Sequence, residues 1–364
     1  MSGERPLRLV PDLERLDAAQ LLGRPEVRID CSAAASVLRG RRVLVTGAGG
    51  SVGVPLVERL LAYQPAALVL LDSHEDSLAR LERRLRGAEP APQFVLGDVR
   101  NRAKLAALFQ AHRPEVVFHL AAYKHVHLGE AYPDEPIGVN VLGTYALTEL
   151  AVATGVAVFV FASSDKAVNP PGVYGATKRL AELVVRWGSR QAAGRFVIVR
   201  FVNVLGTRGS VIEIFLEQLL AGQPLTVTDP AMQRYWMSMR EAVELLLGAA
   251  ASGPAGATLL IDPGAPVRVL DMAERLWALL GRPGPRPSVL YLGQRAGERL
   301  VEELVGAGER LVPGPVAGLW RVEQTAAACR LAAVPEMVAA LAAALERDDP
   351  TLVAQLMAFA RGDR

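Results

Sequence analysis

Between residues 42 and 201 the chain repeats one pattern: a short apolar run with no polar face, then a longer stretch in which apolar positions recur at helical spacing. The runs are "RVLVTG" (42–47), "ALVLLD" (67–72), "QFVLGD" (93–98), "EVVFHL" (115–120), "VAVFVFAS" (156–163) and "RFVIVRF" (195–201). Runs of Val, Leu, Ile and Phe without alternation predict strands covered on both faces, as in a parallel sheet. Helices are predicted over 51–63, 75–86, 101–112, 136–154 and 173–193. Strand and helix in alternation predict an α/β fold built on a doubly wound parallel sheet of the Rossmann type.

Outside that rhythm the reading is coarser. Residues 1–40 precede the first strand as an extension, and 41–204 form the nucleotide-binding domain. From 205 to 322 Gly and Pro break the chain into shorter segments, such as "LAGQPLTVTDP", which predicts a smaller substrate-binding region. Residues 323–364 are Ala-rich and predict a helical tail.

Composition narrows the partners. The 364 residues carry 40 basic and 38 acidic side chains, a net charge of +2, with no long run of one sign, so neither a nucleic-acid groove nor a polybasic membrane patch is indicated. Cys31 and Cys329 lie far apart without CxxC spacing, which fits a reducing, cytoplasmic setting and suggests no cysteine metal site. The opening "MSGERPLRLVPDLERLD" is too charged for a signal peptide. The apolar stretch 242–261 is broken by Glu244, Gly248, Gly253, Pro254 and Gly256, so no membrane span is expected there. His74, His112, His119, His125 and His127 show no metal-ligand spacing, and His119, at a strand end, is expected to be structural or to line a cofactor.

"VLVTGAGGSVG" (43–53) sets Gly47, Gly50 and Gly53 at GxxGxxG spacing, directly after a strand and at the start of a helix. Glycines there allow a tight turn and close approach of a pyrophosphate, which meets the free N–H groups of the helix start. A glycine turn used only for packing would look the same in isolation. Asp72, however, ends the second strand 19 residues after Gly53, where a carboxylate accepts from an adenosine ribose and disfavours a 2′-phosphate. NAD is therefore expected rather than NADP. The cofactor contacts expected are Gly47, Gly50, Ser51, Val52, Gly53, Asp72, Asp98, Val99, Ala121 and Ala122, joined by Tyr174 and Lys178, with Asp98 placed to reach the adenine.

Ligands of such sheets bind beyond the carboxyl ends of the strands. The strand at 156–163 runs out into "SSDKAVNPPGVYGATKR", which sets Ser163, Ser164, Asp165 and Lys166 at that edge. On the following helix Tyr174 and Lys178 share a face. A Lys beside a phenol favours the phenolate, so Tyr174 is a candidate base, with Ser164 as a hydrogen-bond partner of a sugar hydroxyl. Tyr and Lys meet by chance on many helices; the strand end and the nucleotide loop are what favour catalysis here. Asp165 and Lys166 exceed the needs of simple hydride transfer. They read either as an exposed ion pair of little worth or as a second acid and base.

With these residues in place the chain resembles the extended short-chain dehydrogenase/reductases, and within them the nucleotide-sugar 4,6-dehydratases of polysaccharide biosynthesis that act on UDP-N-acetylglucosamine. The resemblance runs from about 20 to 305 and rests on blocks in order: "LLGRPEVRID", "VLVTGAGGSVG", "LGDVRNRAKL", "VVFHLAAYKHV", "NVLGT", "SSDKAVNP", "YGATKR", "NVLGTRGSVI", "FLEQLLAGQPLTVTDPAMQRYWM", "DPGAPVRVLDMAERL" and "GQRAGERLVEEL". It implies that Tyr174 and Lys178 begin oxidation at carbon 4, that Lys166 takes the proton from carbon 5, and that Asp165 protonates the hydroxyl leaving carbon 6. It places Lys124, Glu130, Asn140, Asn203, Arg208, Arg234, Arg295 and Glu298 around the sugar nucleotide or the cofactor edge. A soluble protein is expected, since the membrane helices that precede the nucleotide domain in large family members are not seen here, and a homo-oligomer is expected as well.

The chain departs from the family pattern at several positions. Tyr174 stands where many relatives have Met, and Ser164 where Thr is usual. "YKHVHLGE" replaces "YKHVPLME", Val202 and Pro171–Gly172 replace other residues beside the site, and Val54–Pro55 replaces Ser-Glu. These changes bear on the sugar more than on the chemistry. Two other functions share the motifs: a 4-epimerase, which needs Tyr174 and Lys178 but not Asp165 and Lys166, and a nucleotide-bound regulator without catalysis.

Overall fold

The computed structural model describes residues 17–281, 287–324 and 331–362. Six strands follow the expected order: β1 (Arg42–Thr46), β2 (Ala67–Asp72), β3 (Gln93–Leu96), β4 (Val116–His119), β5 (Val158–Ser164) and β6 (Arg195–Phe201). They lie in the sheet as β3-β2-β1-β4-β5-β6, all parallel. Three further strands complete the same nine-stranded sheet: Thr258–Ile261 beside β6 in parallel, then Leu319–Gln324 and Glu309–Pro313 antiparallel at the far edge. Residues after 205 thus contribute to the central sheet as well as to the smaller elements around it.

The continuous apolar runs have the reason proposed for them. On β1, Val43 and Val45 enter one core and Leu44 the other; on β4, Val116 and Phe118 enter the first and Val117 the second. Both faces are covered by helices, so neither needs polar side chains. The order reverses between β1, which turns toward β2 on one side, and β4 on the other, and the crevice at such a reversal is where ligands bind.

The helix expected over 136–154 spans Asp134–Ala153 and contains a π-helical segment at Ile137–Gly143. It has the length and apolarity of a membrane span, but 67% of its most apolar window is buried within this fold. The helix expected over 173–193 spans Val173–Gln191. Its outer side packs, with Ile137 and Val141, against the Ala-rich segment, whose helices Val334–Glu346 and Leu352–Arg361 supply Val334, Leu341 and Leu356. The described part of the N-terminal extension packs on helix Met239–Ser252, where Arg24 donates to the buried Glu241 at 2.6 Å. Cys31 is half-buried, and burial raises its thiol to about 11. Cys329 lies outside the described residues.

Candidate active site

The nucleotide loop closes tightly enough to require its glycines. A Cβ on Gly53 would come within 2.3 Å of the Gly47 carbonyl oxygen. Gly53 also begins helix Gly53–Leu61, with Val52 just before it, so the first N–H groups of that helix face the crevice beyond β1. Asp72 ends β2 and accepts from Gly49 N and His74 N, each at 2.8 Å. Loop, helix start and carboxylate together fit a dinucleotide. Asp98 is engaged otherwise than expected. Its oxygens accept from Arg100 N at 2.8 Å and from the Arg100 guanidinium at 2.8 and 3.0 Å. Burial would raise its carboxyl, but Arg100 outweighs it and holds it below the usual range. Val99 is buried beneath the π-helical segment, and Ala121 abuts Gly47 across the crevice.

β5 delivers the reactive residues. Its last residue, Ser164, caps the 3₁₀ turn Asp165–Ala167 by accepting from Lys166 N. The helix carrying Tyr174 begins shortly after and lies hard against that turn: a Cβ on Gly175 would meet the Lys166 carbonyl oxygen at 2.2 Å. Glu130 accepts from Val173 N at 2.7 Å, doing for this helix what an N-cap side chain does elsewhere. Tyr174, Ser164, Asp165 and Lys166 are thereby brought together. Ser164 Oγ donates to Asp165 Oδ1 at 2.9 Å, and Lys166 Nζ donates to the same oxygen at 3.0 Å and to Asn203 Oδ1 at 3.2 Å.

The charge pattern differs from the expectation in one respect. Burial raises the Tyr174 phenol; the strongest opposing influence is the Lys166 ammonium, followed by the Ser164 hydroxyl. Lys178 instead donates to the Ala162 carbonyl at 2.6 Å and lies 4.4 Å from the centre of the Phe161 ring. Its burial lowers it to about 7, against the pull of Glu182. For Lys166, burial opposes the charge, but Asp165 and Glu302 overcome it and hold the ammonium above the usual lysine range.

The remaining expected residues divide. Asn140, within the π-helical segment, is buried; its amide bonds both Tyr123 N and Tyr123 O, at 2.9 and 3.1 Å, and Thr177 Oγ1 at 3.1 Å. It ties the loop after β4 to the Tyr174 helix, with both Nδ2 hydrogens engaged. Arg208 stands on the nucleotide loop, donating to Gly49 O at 2.6 Å and Ser77 Oγ at 3.0 Å, while its own N–H reaches Ser51 and its carbonyl accepts from Lys124 Nζ. Arg234 donates to the carbonyls of Arg299 and Leu300, and so anchors the segment that bears Glu302. Arg295 and Glu298 flank a turn there, and Glu298 Oε2 is buried without a hydrogen-bond partner. His119 is structural: it bridges Thr46 Oγ1 at 2.7 Å and Thr144 Oγ1 at 2.9 Å, and burial lowers it to about 3.

Two features were not singled out in the sequence. Glu302, 5% exposed, faces Lys166 at 3.7 Å and Arg234 at 3.9 Å. Its only sequence signal is its place in "GQRAGERLVEEL". Behind the site, Arg200 joins Glu182 of the Tyr174 helix, at 2.8 Å, to Glu309 of the edge strand, at 2.7 Å, and Glu182 accepts from Ser163 at 2.8 Å. All three charges are almost fully buried.

These elements define a Rossmann-type short-chain dehydrogenase/reductase fold. The chain belongs to the polysaccharide biosynthesis protein family, which matches residues 43–322. It is 40% identical over 305 residues to the probable polysaccharide biosynthesis protein EpsC of Bacillus subtilis, covering 83% of this chain and 51% of that one. It thus spans about half the length of that relative. A UDP-glucose 4-epimerase of Rickettsia felis is 32% identical over 292 residues, 78% of this chain and 82% of the other. Among solved structures, a double mutant of the dTDP-glucose 4,6-dehydratase DesIV of Streptomyces venezuelae, with NAD bound, superposes with TM-score 0.64 at 27% identity, covering 73% of this chain and 88% of that one.

Proposed function

We propose that the chain is a nucleotide-sugar 4,6-dehydratase that uses NAD and takes UDP-N-acetylglucosamine to its 4-keto-6-deoxy form. The observation that carries the reading is the Asp165–Lys166 contact at 3.0 Å, beside Tyr174 and Ser164. Asp165 is 1% exposed, so the pair is not a solvated surface ion pair of little consequence. Membership of the family, and likeness to a 4,6-dehydratase of known structure, support it.

The glycine loop 47–53 and Asp72 would hold NAD, which would supply the hydride chemistry that links carbon 4 to carbon 6. The chain's own residues manage protons. Tyr174 takes the proton of the carbon 4 hydroxyl, Ser164 holds that oxygen, and the ketone formed makes the carbon 5 proton acidic. Lys166 must lose its proton before it can take that one, and Asp165, already hydrogen-bonded to it, is the group that receives it. The exchange yields the pair in its working form: a neutral amine facing carbon 5 and a carboxylic acid facing the hydroxyl on carbon 6. NAD is preferred to NADP because Asp72 offers a carboxylate where a 2′-phosphate would stand.

The alternative reading is a 4-epimerase, favoured by likeness to the Rickettsia enzyme and by an intact Tyr174. A nucleotide sugar deuterated at carbon 4 separates them. The dehydratase yields a 6-deoxy-4-keto product with the label in its new methyl group. An epimerase would leave the label at carbon 4 with no water lost, and that result would overturn this reading.

A further inference from the structure

The loop 205–210 is bonded to both banks of the crevice beyond β1. One end is fixed by Leu205 N, which donates to the Met237 carbonyl at 2.9 Å, and the other by Ser210, which caps helix Val211–Ala221. Between these anchors Arg208 makes three bonds to the bank formed after β1 and β2. Its guanidinium donates to Gly49 O at 2.6 Å and to Ser77 Oγ at 3.0 Å, and its own N–H donates to Ser51 Oγ at 3.0 Å. On the opposite bank, formed by the loop after β4, Lys124 Nζ donates to the Arg208 carbonyl at 2.5 Å. The His125 ring lies so close to Gly209 that a Cβ there would come within 2.8 Å of it. Gly206 and Gly209 stand on either side of Arg208 with φ of 75° and 67°, a backbone that residues with a Cβ rarely adopt. The crevice is where a dinucleotide on the glycine loop lies, so a loop tied to both banks crosses its way out.

We propose that residues 205–210 form a strap across the cofactor crevice, fastened by Arg208 on one bank and Lys124 on the other, and that the strap retains NAD through the reaction. The inference rests on the NAD reading of the glycine loop and Asp72. It holds for a dehydratase and an epimerase alike, since each returns the hydride to the sugar that gave it, and a cofactor reduced in the first half must stay for the second. The bonds that close the strap run to the chain's own Gly49, Ser51, Ser77 and Lys124. They must break whichever way the cofactor moves, so the strap slows entry and exit together and changes affinity little. Such a closure sets the rate of cofactor exchange without touching the reacting atoms.

Exchange of radiolabelled NAD tests this. Loaded protein is chased with excess unlabelled NAD and the label left on the protein is followed by rapid filtration, which gives the exit rate. Stripped protein mixed with labelled NAD gives the entry rate. Arg208→Ala removes hydrogen bonds from a charged donor and is expected to quicken both rates about 10–100-fold. Lys124→Met cuts the strap at the opposite bank, leaves the Arg208 guanidinium in place, and is expected to quicken both about tenfold. Arg208 and Lys124 are both exposed, so neither change removes a core contact. An exit rate unmoved in either variant would overturn the strap. Faster exit with unchanged entry would overturn it too, because affinity then falls by the same factor and the residue is a direct ligand of the cofactor. Failure of the unaltered protein to take up NAD would overturn the cofactor reading and the strap with it.

Discussion

Glu302 lies far beyond Lys166 in the chain, yet its Oε1 stands 3.7 Å from the Lys166 ammonium, nearly as close as the neighbouring Asp165 carboxylate at 3.0 Å. Both carboxylates hold Lys166 charged. A base must be neutral to act, so activity that depends on Lys166 rises with pH. Removing one carboxylate should move that rise downward. Glu302→Gln is expected to shift the rising limb of the pH–kcat profile by about one unit toward acid. An unmoved limb would show that Lys166 is not the group that titrates.

Tyr174→Phe keeps the ring and removes the phenolic base. Oxidation at carbon 4 should slow by about 10²–10⁴-fold with binding of the nucleotide sugar little changed. Lys166→Met should act later, permitting oxidation while stopping elimination, so that a 4-keto sugar still bearing its carbon 6 hydroxyl accumulates. Rapid-quench analysis of bound sugar checks both.

Asp72→Asn replaces a charged acceptor with a neutral amide whose NH₂ group meets the N–H of Gly49 or His74. Hydrogen bonds to charged groups contribute about 1.5–3 kcal/mol, so NAD should bind at least tenfold more weakly. Titration of the stripped protein with each cofactor measures this, and tighter binding of NADP than of NAD by the unaltered protein would refute the cofactor assignment.

Arg200→Met leaves Glu182 and Glu309 facing each other across a buried gap. Breaking a buried ion network by removing one partner costs about 3–5 kcal/mol, and here the two carboxylates are left to share Arg179, at 3.3 and 3.1 Å, so a loss toward the lower end is expected. A lower urea midpoint with an unchanged slope is expected.

His119 makes stability fall on acidification. Its folded-state value of about 3 lies below the ordinary 6.5, so between those limits the unfolded chain binds the proton and the folded one does not. Stability then rises with pH across that window. From pH 6.5 down to 5.5, before the buried carboxylates of Glu182 and Glu309 begin to titrate in the unfolded chain, the His119 share is about 1 kcal/mol. Urea titrations at the two pH values should show this loss, and His119→Gln should remove it while lowering stability at neutral pH.

Much of the fold and the reactive motifs could be read directly from the residues. Strands β2 and β6 coincide with their apolar runs, and the other four differ by one or two residues at an end. Burial on both faces leaves a local mark in the residues themselves. The glycine loop, Asp72, "SSDK" and the Tyr174–Lys178 spacing are likewise local, since a strand end and one helical turn are enough to bring these groups to one edge. The third strand was expected to run to Asp98 and ends at Leu96, because Gly97 N turns to the Asp72 carbonyl and Asp98 turns to Arg100.

What the tertiary structure alone decided concerns partners distant in the chain. Nothing in the spacing of "ERLVEEL" indicates that Glu302 meets Lys166; that depends on Arg234 and Arg200 fastening residues 299–309 to β6 and its neighbours. Asn140 carries no local sign that its amide bonds Tyr123 and Thr177, which only a packed helix brings within reach. Lys178 shares a helical face with Tyr174, yet its ammonium goes to the Ala162 carbonyl, because β5 lies beneath that face and offers an acceptor in a buried setting. Helical and strand periodicity are set by neighbours a few residues away, whereas the partner of a buried charge is set by where the chain returns, and that is determined by the order of strands in the sheet.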